Sequence, residues 1–165
     1  MRQQLVEKYR PHRIRHFVGL PKVKGTQANF AADPFSSAWL FVGPPGCGKS
    51  AMAHALANEM NNRSILSLPA CECNVDRVKK IIEGFKDHPL LLSWNDDQKF
   101  EVYLIDEVDE ISYEAKVAFL YLLDGNHLPP WCIFIFTCND VEEDDPKKKG
   151  KLPERFYTRC HKLGQ

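Results

Sequence analysis

The chain has 165 residues, 22 basic and 22 acidic side chains, a formal net charge of zero and a 44% hydrophobic share. That length suits one ordinary domain with its own core, and that balance excludes a disordered chain and removes any bulk electrostatic argument for nucleic acid. No apolar run reaches the roughly eighteen residues that cross a bilayer, and the opening MRQQLVEKYR lacks a secretory signal, so a cytoplasmic protein without a membrane partner is expected.

The charge is unevenly placed. Residues 1–24 carry seven Lys/Arg against one acid, residues 25–141 eight against sixteen, and residues 142–165 seven against five. A basic arm over residues 1–24, ahead of a core over residues 25–165, suits DNA, the acidic body of a neighbouring subunit, or plain solvation, and charge alone does not choose. The six cysteines, at 47, 71, 73, 132, 138 and 160, include no CxxC and no Cys/His quartet at ligand spacing, and they read as buried or half-buried free thiols.

In chain order, short apolar runs alternate with segments of helical period, the pattern of a parallel sheet with crossover helices. Strands are expected at Trp39–Val42, Ile65–Leu68, Val102–Ile105, Ile133–Thr137 and, more weakly, His161–Leu163. The central runs are almost wholly apolar, which suits strands covered on both faces. A first helix is expected from Lys49 to Met60, where strong helix formers dominate. Val75, Val78, Ile81, Ile82 and Phe85 mark one face of a second. Ile111, Ala115, Ala118, Phe119, Leu122 and Leu123 mark a third, stopped by Gly125. Residues 87–99 carry no readable pattern, and EEDDPKKKGK at 142–151 reads as an exposed loop.

Gly43-Pro44-Pro45-Gly46-Cys47-Gly48-Lys49-Ser50 matches G-x-x-x-x-G-K-[ST], between an expected strand and an expected helix. The glycines let successive backbone N–H groups face phosphates, and the helix amino terminus, through Ala51, adds partial positive charge. Lys49 would reach the terminal phosphates of ATP, and Ser50 would be a magnesium ligand. Phe100 to Glu107 is an apolar strand that delivers two carboxylates to the carboxyl edge of the sheet, where ligands bind. Asp106 would hold Mg2+ and Glu107 would polarise the attacking water; the same acids, with Asp109 and Glu110, also suit a helix cap. At the end of the strand from Ile133, Asn139 is a candidate for the γ-phosphate or the lytic water, and also a plain turn former.

Through these residues the sequence resembles an AAA+ ATPase, and within that class it is most similar to the small subunits of sliding-clamp loaders. Leu5 to Pro11 is like their "EKYRP" opening, and Phe17-Val18-Gly19-Leu20 falls where their adenine-flanking segment lies. The resemblance implies a P-loop α/β/α sandwich with a mainly parallel five-stranded sheet, and an adenine flanked by Tyr9, Arg10, Pro11 and Val18. Asn139 matches sensor 1. Thr158-Arg159-Cys160 resembles the "SRC" signature, which implies that Arg159 is an arginine finger acting on ATP held by a neighbouring subunit, with Arg155 a nearby rival. The implied partners are ATP, further subunits in a ring or partial ring, a sliding clamp and primed DNA.

The family continues into a helical lid and a collar domain, and this chain ends at Gln165, before both. Pro69-Ala70-Cys71 stands where clamp-loader subunits read like "NAS", and residues 142–151 have no counterpart. Two other readings stay open on sequence: a nucleotide-dependent binding module with little hydrolysis, and an AAA+ motor with another DNA client, such as branch migration or helicase loading.

Overall fold

The computed structural model describes residues 9–60, 65–85, 100–124, 127–139 and 152–164. Five strands, β1 (Ser37–Gly43), β2 (Ile65–Leu68), β3 (Glu101–Ile105), β4 (Cys132–Asn139) and β5 (His161–Gly164), form one sheet in the order β2-β3-β4-β1-β5. Every pairing is parallel. The helices are α1 (Pro21–Ala32), α2 (Lys49–Glu59), α3 (Val75–Gly84), α4 (Tyr113–Leu123) and α5 (Glu154–Arg159), with short 3-10 turns at Ile14–His16 and Ala70–Glu72.

Alternate side chains of each strand feed two separate cores. Leu40, Tyr103, Ile105, Phe134 and Phe136 pack against Val78 of α3, Phe119 of α4 and Phe156 of α5. On the opposite face Trp39, Phe41, Leu104, Ile133 and Ile135 pack against Phe30 of α1 and Met52 and Leu56 of α2. Because β1, β3 and β4 are covered on both sides they carry almost no polar residue, whereas the edge strands β2 and β5 expose most of theirs. Phe119 and Phe136 are fully buried, edge to face at 5.2 Å. Burial of that kind contributes about 1.5–3 kcal/mol per side chain.

The expected strands and three helices are all present, and the differences at their ends have local causes. The helix expected from Ile111 begins at Tyr113, because the Ser112 hydroxyl accepts the Ala115 N–H at 3.2 Å and caps it. Asn74 caps α3 in the same way, accepting the Arg77 N–H at 2.9 Å. β4 runs two residues past Thr137, to Asn139. Two helices, α1 and α5, were not read from sequence; α1 starts on a proline, which suits a first turn. Cys73, Cys132, Cys138 and Cys160 are buried and Cys47 is half-buried, but Cys71, in an exposed 3-10 turn, corrects the expectation of six covered thiols. The expected stop at Gly125, the segment 87–99, the loop 142–151 and the Leu5–Lys8 stretch lie outside the described residues. Among the described residues no helix is long and apolar enough to cross a membrane.

Candidate nucleotide site

β1 ends at Gly43, and α2 starts six residues later at Lys49. The turn between them closes with the Cys47 N–H donating to the Pro44 carbonyl at 3.4 Å. It requires φ of 79° at Gly46 and 95° at Gly48, conformations that glycine adopts without the Cβ penalty. The first N–H groups of α2, at Lys49, Ser50 and Ala51, have no acceptor within the helix, so with the helix dipole they form a cradle for an anion. Pro44, Pro45 and Gly46 are exposed at its rim, as an approach for a ligand demands.

Lys49 is drawn inward. It is only 9% exposed, and its ammonium donates to the Gly43 and Pro44 carbonyls, both at 2.9 Å, and to Asn139 Oδ1 at 3.1 Å. The contact with Asn139 follows from sheet register, since Gly43 and Asn139 are paired residues of β1 and β4. Sequence positions 43, 49 and 139 therefore meet at one strand edge.

The acidic strand arrives beside them. The Ser50 hydroxyl donates to Asp106 Oδ1 at 2.7 Å, and the Thr137 hydroxyl donates to the same oxygen at 2.9 Å. Thr137 Oγ also accepts the Glu107 N–H at 3.0 Å, and the Val108 N–H donates to the Thr137 carbonyl at 2.9 Å. These bonds pin the 106–108 turn to β4. Glu107 itself is exposed and sits at φ 54°, a left-handed conformation unusual for a residue other than glycine.

Behind the tip of β4 lies a buried polar cluster that the sequence reading did not assign. Asp109 is 2% exposed, and its carboxylate accepts the Asn139 N–H at 3.4 Å. Lys116 of α4, 6% exposed, donates to the Asp109 carbonyl at 2.6 Å. Desolvation lowers the Lys116 pKa, and the nearby charges of Asp109 and Glu110 oppose that shift. Both signals were available: Lys116 stands three residues before Phe119 on a helix whose other inward positions are apolar, and Thr137 follows the wholly apolar run Ile133–Phe136.

The remaining candidates lie apart. Arg159, the last residue of α5, forms an ion pair with Asp124 at the end of α4 and reaches the Arg155 carbonyl at 3.5 Å. Among the described residues it makes no bond to the P-loop. Tyr9 and Val18 are largely exposed, and Arg10 and Pro11 are half-buried. From that amino-terminal segment Phe17 reaches the phosphate cradle, its ring carbon 3.5 Å from where a Cβ on Gly48 would stand.

Ser50 and Asp106 present hard oxygens side by side, and magnesium typically takes one or two protein oxygens, with phosphate and water completing its shell. The donor set fits. A glycine-shaped phosphate cradle, a buried lysine and this oxygen pair at the carboxyl edge of a parallel sheet define a P-loop nucleotide-binding domain. The family model described as "ATPase family associated with various cellular activities (AAA)" matches residues 39–160, and the chain belongs to that family.

Within it the chain is similar to clamp-loader proteins. It is 30% identical over 160 residues to the replication factor C small subunit of Methanocella arvoryzae, covering 93% of this chain and 45% of that protein. It is 28% identical over 184 residues to the DNA polymerase III subunit gamma of Buchnera aphidicola, covering 96% and 46%. The Holliday junction branch migration motor RuvB of Thermotoga maritima superposes with a TM-score of 0.67 at 17% identity, over 95% of this chain and 48% of that one, a likeness of fold alone. The chain thus spans about half the length of the proteins it matches.

Proposed function

We propose that this chain binds ATP with magnesium and hydrolyses it in the cytoplasm, as the nucleotide-binding part of a clamp-loader-type assembly whose subunits complete one another's sites. One observation carries the reading: the adjacent Lys49 and Ser50 meet the sequence-distant Asn139 and Asp106 through hydrogen bonds of 3.1 and 2.7 Å at one sheet edge. On this reading the backbone N–H groups of residues 46–51 bind the β- and γ-phosphates, and Lys49 exchanges its carbonyl partners for phosphate oxygens. Ser50 and Asp106 hold Mg2+, which neutralises charge on the transferring phosphoryl group. Glu107 orients and polarises the attacking water, and Asn139 fixes the γ-phosphate. The segment from Tyr9 to Pro11, with Val18, flanks the adenine.

Arg159 completes the site of a neighbouring copy or related subunit, in a ring or partial ring, by spreading charge over that subunit's γ-phosphate. A sliding clamp and primed DNA are the clients this reading implies. A second reading, a nucleotide-dependent binding module with little turnover, draws support from one feature, the ion pair that ties Arg159 to Asp124 within its own chain.

Calorimetric ATP titration and steady-state turnover of the wild type and Glu107→Gln, with chain mass measured in parallel, separate these readings. The expected outcome is unchanged ATP affinity with turnover reduced about 10²–10⁴-fold in Glu107→Gln. Parental turnover in that variant overturns the role of Glu107, and tight binding without turnover at any wild-type concentration favours the binding module.

A further inference from the structure

At the far end of α2 from the P-loop lies a cleft of about 1000 Å³, between the amino-terminal segment and α1. Its shape follows from Ile14. That side chain is 2% exposed, and its N–H donates to Glu59 Oε1 at 2.9 Å, which anchors the 3-10 turn on the end of α2. With Ile14 turned inward, Arg13 and Arg15 on either side are left exposed, and both line the cleft. The Arg13 carbonyl accepts the His16 N–H at 3.0 Å, but among the described residues neither guanidinium has a hydrogen-bonding or ionic partner.

Across the cleft α1 contributes Lys24, whose ammonium is steadied by the Phe17 carbonyl at 3.1 Å. Gly25 and Ala28, also from α1, put almost no bulk into the space. A Cβ built on Gly25 would meet nothing within 4 Å. His12 lines the same cleft, its carbonyl held by the Asn58 amide at 3.4 Å. Glu59 is the acid of the lining, and one of its oxygens is occupied by Ile14. From Lys8 to Ala32 the sequence holds six Lys/Arg and no acid.

We propose that this cleft is a binding site for the phosphodiester backbone of a nucleic-acid strand, separate from the nucleotide site. Protein-docking surfaces centre on apolar or aromatic side chains with charge at the rim, whereas nucleic-acid sites are strongly cationic throughout. Here the groups facing solvent are two guanidiniums, an ammonium and an imidazole, over a floor of small residues. Guanidinium groups match phosphate oxygens two at a time. No base-reading arrangement is present in the lining, so binding is independent of sequence. The 11 residues of α2 separate the cleft from the P-loop by about 15 Å at the usual helical rise. Strand and ATP therefore bind together.

The test is fluorescence anisotropy of a labelled oligothymidine titrated with the full chain at several salt concentrations, for the wild type, Arg13→Ser/Arg15→Ser and Lys22→Ser. Lys22 is exposed on α1 outside the cleft. With three cations engaged, log Kobs should fall against log salt with a slope of about −2, and the double variant should flatten it by about 1.4 and weaken low-salt binding roughly tenfold or more. ATP affinity of the double variant, measured in the same preparation, should equal that of the wild type, which also verifies its fold. Saturating ATP should leave the oligonucleotide bound. The proposal is overturned by wild-type affinity in the double variant, by an equal loss in Lys22→Ser, by displacement with ATP, or by poly-glutamate competing as well as the oligonucleotide, which would mark an acidic protein partner. Because turnover is not read, failure here leaves the hydrolytic proposal standing, and the reverse also holds.

Discussion

Two corners of the sheet edge carry the chemistry read from sequence, and they are built differently. At the P-loop corner the key side chains are held from within the chain: Lys49 has three oxygen acceptors and Asp106 has two hydroxyl donors. At the α5 corner Arg159 is held, among the described residues, by an acid at the end of α4 and a carbonyl of its own helix, and its side chain remains 27% exposed. The first corner is preorganised, and an ion pair with that much solvent access is weak enough to exchange. On the proposed reading, a site whose side chains are already in place beside a cation held loosely at the surface is what an assembly needs if each subunit binds alone but acts in company.

The contrast can be broken by substitution. The largest effect is expected from Lys49→Ala, which removes the cation of the cradle and should abolish Mg-ATP binding in calorimetry while the chain stays folded. Next, on the proposed reading, Arg159→Ala should lower turnover about 10³-fold or more, with ATP affinity unchanged and turnover per chain no longer rising with protein concentration. If Arg159→Ala instead weakens ATP binding to the monomer, the two corners are not separate and the division fails. A smaller effect is expected from Asp109→Asn. It loosens the Asn139 backbone without touching nucleotide, so kcat should fall by roughly tenfold with KM near parental, a split typical of a displaced transition-state contact.

The smallest effect concerns the core beneath both corners. Burial pushes the thiol of Cys73 up to about 11 and those of Cys138 and Cys160 up to about 12, from an ordinary value near 9.0. In the unfolded chain these thiols ionise from about pH 9, so above that pH the unfolded state binds fewer protons and stability falls as pH rises towards 11. Below pH 9 the contribution is complete. The urea midpoint should therefore be flat from pH 7 to about 8.5 and decline beyond it. At pH 8 a thiol reagent should modify Cys71 fast, Cys47 more slowly and the four buried thiols only on unfolding.

Much of this was legible in the sequence because parallel, doubly covered strands leave a strong mark. The run Ile133–Phe136 can lie only between two layers, and the glycine spacing before Lys49 admits few backbone paths. Both follow from local chemistry and were read at near-residue precision. The acids at 106 and 107 were located equally well, since a strand's end fixes where its next residues emerge. What stayed hidden depends on register. Nothing local says that Thr137 would pair its hydroxyl with Asp106, or that Lys116 would turn inward beneath Asn139, because each contact exists only once β3, β4 and α4 are aligned. Helix α1 was missed for a different reason: it is polar on most faces and buries just Gln27 and Phe30, so its periodicity is faint.

The left-handed backbone at Glu107 carries a cost of its own. A residue with a side chain held there stores strain of about 1–3 kcal/mol, maintained by the Thr137 hydroxyl and the neighbouring turn. Glycine would relieve it, so on the proposed reading selection for heat resistance alone should drift towards glycine at 107 and silence the domain, whereas selection for turnover would keep the carboxylate and tolerate the tension. If Glu107 has that role, durability and activity are set against each other at a single peptide unit.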